Sequence, residues 1–168
     1  YSDQHCYSYG AIYYRNCDGS SSKPGIIANN TINISTEGKS KSNGIMIYDS
    51  DYENIYYNTV NISCNNASDA AFYSTLSNNV NVVNNIFSVR GELADNRVGA
   101  GYAYYVKDGS VSVSDFNTYF SPGKYPVYWM GISYESLSAM KIVSGKDVNS
   151  QFVFPAFASS SNLKTKSP

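Results

Sequence analysis

The sequence predicts an all-β chain folded as a stacked parallel solenoid of about five rungs, with one short helix near residues 133–143. Three observations predict it. Tyr occurs 17 times in 168 residues, amid abundant Asn and Ser; Tyr, Val, Ile and Thr favour strands, whereas Asn, Ser, Gly and Asp favour turns. Short apolar-aromatic runs recur, each after a polar or Gly-containing loop. An Asn marks copies of a second set of runs, at Asn30, Asn58 and Asn85, spacings of 28 and 27 residues, with the next copy, around residues 115–117, slightly further on. A period in the twenties, with apolar alternation inside each copy, belongs to rungs that bury their inner faces only by stacking.

The first strands of successive rungs read as residues 7–14 (YSYGAIYY), 44–48 (GIMIY), 70–74 (AAFYS), 102–106 (YAYYV) and 127–130 (VYWM). The second set reads as residues 26–34 (IIANNTINI), 54–62 (NIYYNTVNI), 81–89 (NVVNNIFSV) and 111–120 (VSVSDFNTYF). Residues 44–63 hold one whole rung: two β-type runs, a polar corner and the Asn. The variable stretches 36–43, 64–69 and 91–101 are expected as loops on one side, where insertions cost little. For the helix, Ser133 is the expected N-cap, with Glu135 in the first turn, Lys141 near the end and Gly145 as the stop. Tyr134, Leu137 and Met140 then form one apolar stripe, expected to pack on the flank or end of the stack.

Asn tolerates left-handed backbone better than most non-Gly residues, so Asn30, Asn58 and Asn85 are expected at corners. Stacked rung on rung, their amides are expected to bond along the axis as a structural Asn ladder. Four Asn-X-Ser/Thr sequons, at Asn29, Asn33, Asn61 and Asn66, arise readily by chance in so Asn-rich a chain.

Charge is sparse and balanced, 12 basic against 13 acidic residues, and selects for neither nucleic acid nor an acidic membrane surface. No run of 18 apolar residues suggests membrane insertion. The length suits one domain. The chain opens at Tyr1 without Met, basic leader or apolar signal core, which reads as a mature fragment of a longer parent. Its solenoid ends are then expected to be covered by flanking parts of that parent or by another protein. Cys6, Cys17 and Cys64 show no zinc spacing and no CxxC. Cys6 and Cys17 could pair and leave Cys64 buried and free, although three unlinked thiols are the simpler reading.

Residues 114–120 (SDFNTYF) resemble an Asp-Tyr-Asn-x-Tyr-Tyr rung, and residues 137–157 (LSAMKIVSGKDVNSQFVFPAF) resemble a short helix followed by Thr/Ser-Gly-x-Asp-x-Asn-Ser and a Pro-x-Phe return strand. Residues 162–168 (NLKTKSP) are similar to Asp-Leu-x-Leu-x-x-x-Ser-Pro. These segments occur in the right-handed parallel β-helix repeat proteins of the pectate-lyase-like superfamily, and the resemblance covers roughly residues 10–168. It implies a right-handed parallel β-helix, an extracellular or cell-surface location, and a place in a large bacterial surface or secreted protein, some of which leave by type IX secretion. The expected role is a non-catalytic rigid stalk or adhesion and display module. A carbohydrate-binding or lyase-like domain, and a cargo or subunit of a type IX secretion-related assembly, are the alternatives.

A lyase needs a Lys or Arg base beside a charge neutraliser, and a hydrolase needs paired carboxylates at a set separation. No catalytic pattern of the family matches residue by residue. Arg90 and Arg97, with Glu92 and Asp95, read as a mixed-charge exposed loop, and His5 has no neighbouring triad partner. Asp147 and Asn149 read as residues that cap and shape their turn. Asp49, Asp51 and Glu53 alternate as DxDxE, a pattern that could place three carboxylates on one face for Ca²⁺; the simpler account is a solvated corner. No other cofactor is expected. Tyr48, Tyr73, Tyr104, Tyr105, Tyr128 and Trp129 fall in the first-strand set, where outward side chains could form an aromatic strip for a glycan or protein partner. The alternative is that they are half-buried strand residues.

Overall fold

A computed structural model describes residues 8–35, 41–63, 66–90, 101–159 and 162–165. His5, Cys6, Cys64, Glu92, Asp95 and Arg97 lie outside the described residues, as do the Cys6–Cys17 pairing and most of the expected 36–43 and 91–101 loops. Within the first of these, residues 41–43 belong to a strand. The chain is mostly β and repeats one circuit. It runs through β1 (Ser8–Arg15), β2 (Gly25–Ala28) and β3 (Thr31–Ser35), then β4 (Lys41–Tyr48), β5 (Glu53–Tyr56) and β6 (Thr59–Ser63). The circuit recurs as β7 (Ala70–Thr75), β8 (Ser77–Val83) and β9 (Ile86–Val89), then β10 (Tyr102–Val106), β11 (Gly109–Asp115) and β12 (Thr118–Phe120). It closes with β13 (Val127–Trp129), β14 (Ile132–Tyr134), α1 (Leu137–Ser144) and β15 (Gln151–Phe152).

Each strand of a circuit joins a different sheet. The orders are β1-β4-β7-β10-β13-β14, β11-β8-β5-β2 and β15-β12-β9-β6-β3. Every pairing is parallel except β13 with β14. Register fixes the core because matched positions stack like on like. Ile12, Ile45, Phe72, Tyr104 and Val127 form one inward column. Ile27, Ile55 and Val82 form a second, and Ile32, Val60, Phe87 and Tyr119 a third. Such alternation is what a half-buried strand face requires. Rings pack against one another in the interior: Phe72 lies 5.4 Å from Phe87 and 5.5 Å from Tyr104, and Tyr104 lies 5.2 Å from Tyr119, centroid to centroid.

Two helix expectations are corrected. The helix starts at Leu137, with Ser136 as N-cap accepting from the Ala139 amide at 3.2 Å. Ser133 instead lies in β14, paired with Tyr128, because Met130 (φ 48°) and Gly131 (φ 90°) reverse the chain into a hairpin. Glu135 therefore precedes the first turn and meets Lys124 at 3.3 Å on the surface. Gly145, with φ 65°, stops the helix, its N–H donating to the Lys141 carbonyl. Leu137 and Met140 enter the core and the half-buried Tyr134 packs beside them. Among the described residues no helix is long and apolar enough to cross a membrane.

Candidate functional site

A continuous polar line runs inside the stack beside the apolar columns. Asn30 donates its N–H (3.1 Å) and Nδ2 (3.0 Å) to Oδ1 of Asn58. Asn58 does the same to Asn85, at 2.9 and 3.0 Å, and Asn85 to Asn117, at 2.9 and 3.1 Å. Each Nδ2 also reaches back one circuit: Asn58 to the Ile27 carbonyl, Asn85 to that of Ile55 and Asn117 to that of Val82, all 2.8 Å. The carboxamides of Asn58, Asn85 and Asn117 thus each tie three successive rungs, and the low surrounding polarity strengthens each bond.

The line ends at Asp147. Its buried Oδ1 accepts from Asn117 Nδ2 (3.2 Å), the Tyr119 hydroxyl (2.9 Å) and Ser150 Oγ (2.6 Å). A carboxylate has no N–H to pass on, so it terminates the relay. Burial, then the Asp147 charge, hold the Tyr119 hydroxyl far above the ordinary phenol range, so it stays a donor.

The ladder residues are not themselves the left-handed ones. Positive φ falls one position earlier, on Asn29 (59°), Tyr57 (55°), Asn84 (59°) and Phe116 (57°). The ladder Asn must point inward, so the reversal is made by its exposed predecessor, whose side chain is unconstrained. The N–H groups of Asn29, Tyr57 and Asn84 donate to carbonyls of the next circuit, as from Tyr57 to Val83 at 3.3 Å, and that of Phe116 donates to Asp115 Oδ1 at 2.9 Å. Spacing identified Asn30, Asn58 and Asn85 and placed the next copy only around residues 115–117, because the longer connection between β9 and β10 stretches the interval to Asn117 to 32 residues.

The acidic corner does not gather. Asp49 is left-handed (φ 49°) and exposed, Asp51 accepts from the Asn78 amide at 2.6 Å, and Glu53 is buried. Left-handed residues at Asp49 and Tyr52 break the extended alternation that would align the three. Among the described residues no group of three or more His, Cys, Asp or Glu side chains is arranged to hold a metal. Calcium titrated to millimolar is therefore expected to leave Tm unchanged; a concentration-dependent rise would show a cation bound in the folded state.

The aromatic set divides by face. Tyr104 and Trp129 leave the expected outer strip, because their register turns them inward to the core. Tyr73, Tyr105 and Tyr128 remain outside and stack directly, at 4.9 Å with an 11° interplanar angle and 4.2 Å with 5°. Tyr102 packs edge-on to Tyr105 and Tyr128, and Lys41 Nζ lies 4.1 Å over the Tyr73 ring. Tyr48 stands apart, beneath the Arg15 guanidinium at 5.2 Å. Within the column the ring faces cover one another, leaving edges and hydroxyls outward. Burial, then neighbouring tyrosines, push the Tyr105 hydroxyl up.

The third sheet carries an outer cover that sequence reasoning missed. Arg90, in the connection directly after β9, is half-buried and not free in an exposed loop: its guanidinium lies 4.3 Å over Phe154 and 5.0 Å over Phe157, and donates to the Pro155 carbonyl at 3.1 Å. Residues 154–157 thereby pack beside the end of β9, and Asn61, the acceptor of one sequon, is buried. A groove of about 440 Å³ remains between Thr31, Thr59 and Ile86 and residues 162–165. Cys17 is exposed, its Sγ 3.3 Å from the Arg15 carbonyl. Comparison with protein-family models, curated proteins and solved structures finds no match.

Proposed function

We propose that the chain is a right-handed parallel β-helix of about five rungs that serves as a rigid, non-catalytic stalk or display segment of a larger bacterial surface or secreted protein. The observation that carries this reading is the asparagine line from Asn30 to Asp147, which joins successive circuits of one chain through buried amides. The three-sheet circuit supports a closed coil, and parallel crossovers are nearly always right-handed. With strands about 4.8 Å apart, five rungs span on the order of 20 to 25 Å. The interior carboxamides of Asn58, Asn85 and Asn117 are spent on holding rungs together, as a load-carrying rod requires. Further strands, from the parent chain or an assembly partner such as type IX export machinery, would cover its ends.

Deleting residues 8–165 in frame from the parent protein tests the role. The parent is expected to reach the cell surface but to lose attachment or reach. Unchanged attachment and unchanged height above the membrane would refute it.

A glycan-binding module is the second reading, favoured by the Tyr73–Tyr105–Tyr128 column. Because those ring faces are already stacked, a sugar would meet hydroxyls and edges, the weaker surface for aromatic stacking. A glycan array is expected to give no signal that Tyr105→Ala removes; a signal lost in that variant would favour binding over display.

A further inference from the structure

Glu53 is a buried acid that packing leaves unexplained. It opens β5 two positions before the core residue Ile55 and, at 1% exposure, faces the same way. The circuit before it supplies Gly25, where a Cβ would overlap the Glu53 carboxyl. By the register of Asn54 with Asn81, the circuit after it supplies the apolar Val80. Among the described residues Oε2 has no hydrogen-bond partner.

The segment leading into Gly25 is residues 16–24, between β1 and β2, and a Cβ at its Gly19 would meet the Gly25 nitrogen at 2.7 Å and the Tyr52 carbonyl oxygen at 2.8 Å, next to that carboxyl. It is tied to the next corner by backbone amides: Asn16 N–H to the Tyr48 carbonyl (3.1 Å), Gly19 N–H to that of Asp51 (2.8 Å) and Gly25 N–H to that of Tyr52 (3.0 Å). Two side chains complete the clasp, Ser50 Oγ accepting from the Cys17 N–H (3.0 Å) and Asp18 Oδ1 from the Asp51 N–H (2.9 Å). The charged group that acts on Glu53 is Asp18, on this segment. β2 presents Gly25, with Lys23 exposed in the turn beyond it; β8 presents Val80; on the corner before β5, Asp49 is exposed and Asp51 is engaged with Asn78.

We propose that Glu53 is a proton-operated latch: protonated, it lies buried beside the 16–24 clasp, and ionised, it repels Asp18 and releases that clasp from the corner at residues 48–52. Burial, then the Asp18 charge, push its carboxyl up to about 7 from 4.5. A pKa raised on folding means that the folded state holds the proton more tightly. Stability from this group is therefore complete below the unfolded value, declines as pH rises and is lost once pH passes the folded value near 7. Release frees the Tyr48, Asp51 and Tyr52 carbonyls as acceptors that a further segment could take up, so neutral pH would favour addition at the N-terminal end of the stack and acid would close it.

Amide hydrogen exchange from pH 5 to 8.5, corrected for intrinsic chemistry, tests the latch. Opening at Gly19 and Gly25 is expected to rise on the order of 100-fold across that range, while Ile62 and Phe87 stay protected. Glu53→Gln should remove the rise, and Asp18→Asn, which keeps the Oδ1 acceptor, should move its midpoint to lower pH. A flat wild-type profile, or a Glu53→Gln profile that keeps the wild-type rise, overturns the proposal. Should Glu53→Gln not fold, an unmoved midpoint in Asp18→Asn overturns it equally.

Discussion

Replacing Asn85 with Ala is expected to destabilise the protein by on the order of 4 kcal/mol, read as a fall in the denaturant midpoint with little change in slope. Asn85 accepts from the N–H and Nδ2 of Asn58 and donates to the Ile55 carbonyl, the Val83 carbonyl and Asn117 Oδ1. Alanine orphans these groups where water does not reach, since Asn58, Asn85 and Asn117 are all at 1% exposure or less. Each unsatisfied buried group costs roughly 1–3 kcal/mol, and relaxation recovers part. Against a total of about 5–15 kcal/mol for a domain, that loss is severe. Asn30→Ala is expected to cost much less, because the half-buried Asn30 lies at the start of the line and its truncation leaves only Asn58 Oδ1 and the Ala28 carbonyl short of a donor. Equal losses for the two variants would show that the amides do not act as a relay.

Phe72→Ala is the second large effect, a loss of about 3–5 kcal/mol in the same measurement. Phe72 is fully buried, stacked between Ile45 and Tyr104 along the first sheet and facing Phe87 across the interior. The cavity cannot collapse easily, because each neighbour is held at its height by strand pairing above and below. Phe72→Leu should recover more than half of the loss. The exposed Phe116 makes the contrast: Phe116→Ala is expected to change stability by less than about 0.5 kcal/mol, since its ring is 58% exposed.

The repeat was legible because the core demands it. Apolar side chains must recur at matched positions for columns such as Ile32, Val60, Phe87 and Tyr119 to stack, and that demand survives in the sequence as strand runs and spaced Asn. The division of tyrosines was less legible. Tyr104 and Tyr105 are adjacent and chemically identical, and only pairing with Phe72 and Tyr73 decides which one enters the core. The helix start failed for a related reason: Ser133 and Ser136 are both good caps, and the left-handed Met130 and Gly131, a tertiary choice, assign Ser133 to a hairpin. Glu53 reads as one of three corner acids until register sets it over a glycine that leaves room for it. Arg90 similarly shows its role only once residues 154–157 return across β9.

The central claim is that successive circuits of one chain stack in parallel at the observed register, and paired cysteines on the outer face of the second sheet test it most directly. Ile26 lies beside Asn54, Asn54 beside Asn81, and Asn81 beside Val113. With Cys6, Cys17 and Cys64 replaced by Ser, double-cysteine variants at these three pairs should each form an intramolecular disulfide under mild oxidation, because parallel neighbours have Cα atoms about 4.8 Å apart. A pair displaced by two residues, Asn54 with Val83, should not. Efficient bridging of the displaced pair with none at Asn54 and Asn81 would contradict the stack and the asparagine line built on it.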